Sequence, residues 1–255
     1  LTIGGMTGVF FMYIDMLVLG IFVPSEFIGY YRAAFNIIGG FVGLISVTSI
    51  LLPILVQLKP DRLEGALNKV LKYISILAFP ATFGLIALSG IFINLVYGPS
   101  YSQAVLPIYL LSFLIIEGAI TSILSWIFIA KEKPEITTKI VIISTVMNIV
   151  LNIALVSYLV KFSALTAILG ASAATLISRY FNLAMLASKA RTKLGIKIKP
   201  SIIFKPLIAS LVMFAALLAV QTIMPSTVLA FIAQVIIGMA VYLAVSLVIK
   251  GIVKE

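Results

Sequence analysis

Long stretches of apolar residues fill the chain and are broken only by short polar connections. Each stretch holds about 20 or more residues, the length that crosses a bilayer core as a helix. The stretches cover 2–23, 28–57, 74–97, 104–130, 139–160, 164–187, 202–224 and 227–249. This pattern predicts an all-α, polytopic membrane protein with about eight transmembrane helices.

One connection, KPDRLEGALNKVLKY, is amphipathic. Its residues Leu63, Leu67, Val70 and Leu71 share one side of a helix. We therefore expect this segment to lie along the membrane surface and the chain to turn from it into the third span near residue 74.

The composition agrees with a membrane protein, since 62% of the residues are hydrophobic and 10% are charged. The formal net charge of +10 raises the question of nucleic-acid binding. The cations are sorted by position, however. Apart from Lys161 and the intramembrane Arg32 and Arg179, every Lys and Arg lies in or beside the connections that follow spans two, four, six and eight. This asymmetry predicts a multi-pass cell-membrane protein with both termini in the cytoplasm and no nucleic-acid partner.

The residue types needed for several kinds of chemistry are missing. Cysteine and histidine are absent from the sequence, so we expect no disulfide and no metal site with Cys or His ligands. The outer connections are short, and the chain contains no G-x-S-x-G, Walker A or paired-carboxylate loop. The sequence therefore predicts a protein that is not an enzyme and holds no cofactor or metal.

A basic connection divides the chain. KARTKLGIKIKP separates six predicted spans from the last two. We predict a six-helix transporter lobe over 1–188, a basic cytoplasmic connection over 189–200, and a terminal transmembrane helix pair over 201–255.

Four ionisable residues lie inside predicted spans, where each costs about 3 kcal/mol and usually faces a cavity or a partner. They are Asp15, Arg32, Glu117 and Arg179. We predict that the two arginines contact an anionic substrate and that Glu117 and Asp15 are ion-coupling sites. The alternatives are an ion pair between Asp15 and Arg32 across the first hairpin, and a neutral Glu117 that bonds to a neighbouring helix.

Two further spans carry polar stripes. Asn148 and Asn152 lie one turn apart in the fifth span, and Ser172 and Thr175 share a side of the sixth span with Arg179. Asn148 and Asn152 are predicted substrate contacts, with hydrogen bonding between helices as the alternative. Stripes on several spans favour a central polar cavity of the kind that a transporter needs.

Several segments resemble the polysaccharide-biosynthesis (O-antigen flippase) branch of the multidrug/oligosaccharidyl-lipid/polysaccharide exporter superfamily. They are DMLVLGIFVPSEFIGYYRAAF (15–35), FPATFGLIALSG (79–90), LVYGPSYSQA (95–104), MNIVLN (147–152) and LGASAAT (169–175). The resemblance covers roughly residues 1–190 and implies the second six-helix lobe of such a transporter, followed by two extra helices.

The resemblance also implies a function. It implies translocation of a polyprenyl-linked glycan by alternating access, with the phosphate groups of the substrate meeting Arg32 and Arg179. One lobe alone cannot alternate access, so the first lobe is expected as a partner, from upstream sequence or from a separate chain.

Two other functions remain open at this point. A multidrug exporter of the same superfamily would favour carboxylates over arginines for cationic substrates. A non-transporting membrane scaffold in cell-envelope glycan assembly would not depend on the intramembrane arginines.

Overall fold

The computed structural model describes residues 13–45, 60–224 and 227–249, and all regular structure within these ranges is helical. Seven of the helices are long and apolar enough to cross a membrane, which confirms the prediction of an all-α, polytopic membrane protein. Residues 2–12 and 46–57 of the first two predicted spans lie outside the described ranges. The α-helices are α1 (Tyr13–Phe22), α2 (Ser25–Ile45), α3 (Pro60–Tyr97), α4 (Val105–Leu111), α5 (Phe113–Ala130), α6 (Pro134–Leu159), α7 (Ala164–Leu194), α8 (Ser201–Gln221) and α9 (Val228–Val248).

Helix α3 corrects one expectation, because the amphipathic segment and the third span form a single helix of 38 residues. No helix-breaking residue separates the two parts. The buried side of the span continues through Leu63, Leu67 and Leu71. The helix therefore continues through residue 74 without a turn. Its length of roughly 57 Å exceeds the bilayer core by about 27 Å.

The predicted fourth span is divided into α4 and α5 by one residue, Ser112. The backbone N–H of Ser112 donates to the carbonyl of Ile108 at 2.9 Å, and the N–H of Ile115 donates to the carbonyl of Ser112 at 3.0 Å. Ser112 itself has right-handed helical dihedrals. Hydrogen-bonded turns therefore continue from α4 through Ser112 into α5.

Helices α6 and α7 form a tightly packed hairpin. Ser163 caps α7, with its Oγ accepting from the N–H of Thr166 at 3.0 Å. A Cβ at Gly170 would lie 2.8 Å from a methyl group of Leu159 and 3.2 Å from the carbonyl oxygen of Leu155. Only a residue without a side chain allows the two helices to approach this closely.

The terminal helices α8 and α9 pack against each other and against α3. Two side chains also bond to backbone carbonyls of α3. Gln221 Nε2 donates to the carbonyl of Ala87 at 2.6 Å, and the hydroxyl of Tyr242 donates to that of Ile76 at 2.9 Å. The terminal pair is thus fixed to one long helix at two heights, and the predicted division into a six-helix lobe and a terminal pair stays a prediction.

Candidate functional site

Helix α2 has two chemically different sides. Tyr31 is fully buried, whereas Arg32 is exposed, because consecutive residues on a helix point about 100° apart. The exposed side continues along the middle of the helix, and we call it the open face of α2. It consists of Arg32, Asn36, Gly39, Gly40 and Gly43.

The open face has free space and polar groups without partners. Among the described residues, a Cβ added at Gly39, Gly40 or Gly43 would meet nothing within 4 Å. Within the described ranges, neither Arg32 nor Asn36 has a hydrogen-bond or ion-pair partner. An arginine inside a membrane helix is costly when it faces hydrocarbon, which makes the open face a candidate wall of a polar cavity.

A buried polar cluster lies on the other side of α2 and joins four helices. The carboxylate of Asp15 accepts a hydrogen bond from the hydroxyl of Tyr31 at 2.7 Å and another from Asn152 Nδ2 at 2.9 Å. The hydroxyl of Tyr31 also lies 3.4 Å from Thr175 Oγ1. These contacts tie α1, α2, α6 and α7 together around one carboxyl group that is 1% exposed.

The two asparagines of α6 extend this cluster. Asn148 Nδ2 donates to Ser178 Oγ at 2.9 Å, and Asn152 Nδ2 also lies 3.1 Å from the carbonyl of Asn148. Within the described part of the chain, the side-chain oxygens of Asn148 and Asn152 have no hydrogen-bond partner. Oxygen atoms of amides and carboxylates are the ligands that hard cations prefer.

Glu117 occupies a separate buried position on α5. It is 2% exposed, and its carboxylate accepts a hydrogen bond from Thr121 Oγ1 at 2.6 Å, one turn along the same helix. Glu117 interacts electrostatically with Arg179 on α7. Tyr180, next to Arg179, donates its hydroxyl hydrogen to the carbonyl of Phe113 at 3.0 Å and so joins α7 to α5.

Arg179 connects the two buried carboxyl groups. It is partly buried and interacts electrostatically with both Asp15 and Glu117. The structure therefore gathers five of the predicted site residues on the side of α7 that faces the helix bundle: Asp15, Glu117, Asn148, Asn152 and Arg179. The sixth, Arg32, lies apart from them on the open face.

The proposed ion pair between Asp15 and Arg32 does not form. The partners of Asp15 are Tyr31 and Asn152, with Arg179 as the cation that acts on it. The rotation of α2 about its axis places Tyr31 and not Arg32 against α1.

Two residues of the site were missed by the sequence analysis. Tyr31 carries no pattern that distinguishes it from the neighbouring Tyr30. Asn36 carries a clear signal, because it follows Arg32 by four residues and therefore lies on the same side of the helix.

An apolar groove lies beside the terminal pair. It has a volume of about 430 Å³ and is lined by residues of α3, α8 and α9 together with Phe41 of α2. Its walls include Pro80, Met213, Phe231 and Tyr242. The groove is suited to a hydrocarbon chain and begins next to the helix that carries the open face.

Sequence comparisons connect this architecture to known proteins. Residues 1–106 match the family described as "Polysaccharide biosynthesis protein". The chain is similar to the probable low-salt glycan biosynthesis flippase Agl15 of Haloferax volcanii, with 24% identity over 252 residues. The chain is therefore similar to polysaccharide-biosynthesis proteins and to a probable flippase. These similarities support the resemblance that the motifs in 15–35 and 79–104 indicated.

The chain is also similar to two further proteins. The probable flippase AglR of Haloferax volcanii is 27% identical over 176 residues, which are 66% of this chain and 35% of AglR. The teichuronic acid biosynthesis protein TuaB of Bacillus subtilis is 34% identical over 97 residues, which are 36% of this chain and 20% of TuaB. These similarities and the seven apolar helices together support a multi-pass membrane protein.

A solved structure has the same fold. The lipid II flippase MurJ, in its inward closed conformation, superposes with a TM-score of 0.81 at 19% identity and covers 97% of this chain. The chain covers 52% of MurJ and 52% of Agl15, with 96% of this chain aligned to the latter. It thus spans about half the length of these relatives.

Proposed function

We propose that the chain forms half of a membrane flippase that translocates a lipid-linked oligosaccharide or polysaccharide precursor by alternating access. One observation carries the proposal. The open face of α2 exposes Arg32 and Asn36 in the middle of a membrane helix, next to glycines with free space around them. A cavity for a polar substrate, closed on its other side by a second lobe, accounts for this surface.

Arg32 is the proposed contact for the phosphate groups of the lipid-linked substrate. A guanidinium donates two parallel hydrogen bonds to phosphate and stays charged at any physiological pH. Of the four ionisable residues that lie well inside the predicted spans, Arg32 is exposed and Arg179 is partly buried, whereas the carboxyl groups of Asp15 and Glu117 are buried. The sign of the exposed charge favours an anionic substrate over the cationic drugs of a multidrug exporter.

Asn36 and the glycines of the open face are the proposed site for sugar. An amide side chain can donate to and accept from sugar hydroxyls. Gly39, Gly40 and Gly43 leave the surface beside Asn36 without side chains, so a bulky polar group can lie against the backbone there.

The buried carboxyl groups are the proposed coupling sites. Asp15, with the side-chain oxygens of Asn148 and Asn152, offers oxygen ligands for a small cation, and Glu117 can bind a proton. Arg179 interacts with both carboxyl groups, so a change in charge at either one alters its position. Asn148 and Asn152 are fully buried, which favours support of Asp15 over direct contact with the substrate, while Arg179 stays a second candidate for the phosphate.

The apolar groove of α3, α8 and α9 is the proposed path for the hydrocarbon part of the substrate. A lipid-linked glycan needs a polar cavity and an apolar surface side by side, and Phe41 of α2 lines the groove. The terminal pair would then serve the lipid and the open face would serve the glycan.

The first lobe, from upstream sequence or a separate chain, is the proposed partner across the open face. We propose that both termini of the chain are cytoplasmic, as the distribution of lysine and arginine predicts, and that the protein performs transport and not covalent chemistry. The remaining alternative is a scaffold without transport activity. A scaffold would not require a cation in the middle of α2.

The test is transport by the full-length protein that contains this chain. Purified protein in liposomes should translocate a polyprenyl-pyrophosphate-linked oligosaccharide. Arg32→Ala should lower the rate on the order of tenfold to a hundredfold, because a hydrogen bond to a charged group contributes about 1.5–3 kcal/mol. Arg32→Lys should restore little of it.

Lys161→Gln is the matched control, since it removes a cation that lies outside the open face. Normal transport by Arg32→Ala would remove the phosphate role from Arg32. Absence of transport by the unmodified protein would favour the scaffold.

A further inference from the structure

The connection between α7 and α8 is fixed against α3 by hydrogen bonds to its backbone. Gly195 ends α7 with φ 71°, a left-handed conformation that glycine adopts without strain. Asn68 Nδ2 then donates to the carbonyl of Lys197 at 2.8 Å. The N–H of Lys199 donates to Asn68 Oδ1 at 3.0 Å, and the N–H of Lys197 donates to Glu64 Oε2 at 3.2 Å.

These bonds hold two lysines in a defined position. Ile196 is buried and Ile198 is half-buried, whereas the alternating Lys197 and Lys199 are exposed. The isoleucines anchor one side of the segment to the protein. The lysines are therefore presented from a fixed backbone and not from a loose loop.

The fixed segment forms one wall of a cavity of about 690 Å³. Arg191, Lys197 and Lys199 line it together with a single carboxylate, that of Glu64. One oxygen of that carboxylate already accepts from the N–H of Lys197, so the cations dominate the cavity. Ile196, Ile198 and Pro200 add apolar walls.

The cavity adjoins the end of α7 and the start of α8, which are ends of two helices long and apolar enough to cross a membrane. We propose that it binds the phosphate headgroup of an anionic phospholipid from the surrounding membrane. The three cations match the phosphate, and the apolar walls match the glycerol and the start of the acyl chains. Basic pockets between membrane helices are suited to such headgroups.

The test is native mass spectrometry of the full-length protein, with phosphatidylglycerol and phosphatidylcholine as probes. The unmodified protein should retain phosphatidylglycerol in preference to phosphatidylcholine. The double variant Lys197→Gln, Lys199→Gln should bind phosphatidylglycerol roughly 25-fold more weakly, from about 1 kcal/mol per cation. The double variant Lys133→Gln, Lys139→Gln removes the same charge from another connection and should bind normally.

A third variant separates position from charge. Asn68→Ala leaves every cation in place but frees the backbone of Lys197 and Lys199, so it should also weaken retention of phosphatidylglycerol. Equal losses in the two double variants, or no loss in Asn68→Ala, would show that diffuse surface charge attracts the lipid and would overturn the proposal. Displacement of phosphatidylglycerol by millimolar inorganic phosphate would assign the cavity to a free anion instead.

Discussion

The open face of α2 and the α6–α7 hairpin use similar residues for opposite purposes. Arg32 is exposed on α2, whereas Arg179 on α7 is partly buried and interacts with two carboxyl groups. A Cβ at Gly40 would meet nothing within 4 Å in the described part of the chain, whereas Gly170 is in close contact with α6. The residue type alone therefore does not tell whether a position serves a cavity or a helix contact; its surroundings do.

The exposed sides of α2 and α6 differ in the same way. Val146, Val150 and Ile153 are exposed on α6 and suit lipid, while α2 exposes Arg32 and Asn36 at its centre. The exposed sides of these two helices are thus of two kinds, one apolar and one polar.

Alanine variants of the two arginines should give the largest difference in unfolding temperature. Arg179→Ala removes the cation that acts on two buried carboxyl groups, and leaving such charges without a partner costs about 3–5 kcal/mol. We expect a clear fall in the thermal unfolding temperature of the detergent-solubilised protein, partly reversed by adding Glu117→Gln. Arg32→Ala should unfold at the normal temperature. Equal unfolding temperatures for the two alanine variants would contradict the contrast between them.

Adding an arginine tests the two kinds of exposed surface. Val146 on α6 and Asn36 on α2 are both exposed near the centre of their helices. Val146→Arg should cost about 2.5–3.5 kcal/mol on insertion, because it faces hydrocarbon. We expect the amount of Val146→Arg in the membrane to fall and that of Asn36→Arg to stay normal, as measured by immunoblotting of membrane fractions. A similar fall in both would mean that α2 also faces lipid.

A pair of glycine variants gives the smallest expected effect. Gly170→Ala places a methyl group 2.8 Å from Leu159 and 3.2 Å from the backbone of Leu155, and such overpacking costs about 1–3 kcal/mol. Gly40→Ala meets nothing within 4 Å and should leave the unfolding temperature unchanged. If Gly40→Ala destabilises as much as Gly170→Ala, the space beside α2 is occupied.

The spans and the family resemblance were predictable from the sequence, because each depends on local pattern. Runs of apolar residues locate α8 and α9 within a few residues, whereas α3 begins at Pro60 and its predicted span at residue 74. The motif DMLVLGIFVPSEFIGYYRAAF indicated the resemblance. The continuity of α3 was not predicted, although the sequence contains its cause. No residue between Lys72 and Ile74 breaks a helix, and an amphipathic segment can continue directly into an apolar one.

The contacts between the residues of the candidate site could not be predicted from the sequence. Asp15, Asn148, Asn152, Glu117 and Arg179 were identified from the cost of polar groups in hydrocarbon. Their partners depend on how each helix is rotated about its axis, and a sequence of one chain fixes the spacing of residues but not that rotation. For the same reason the sequence could not distinguish the exposed glycines of α2 from Gly170, which lies at a close helix contact.

Helix α3 is long and has one position, Pro80, at which it can bend. Pro80 lies inside it and has no N–H to donate, so one hydrogen bond of the helix is missing there. Leu63 lies roughly 25 Å from Pro80 along the axis, and a bend of about 10° at the proline would move it by roughly 4 Å. Asn68 carries the basic connection on the same arm. A small bend at Pro80 would thus produce a larger movement of Leu63 and of the basic connection that Asn68 holds.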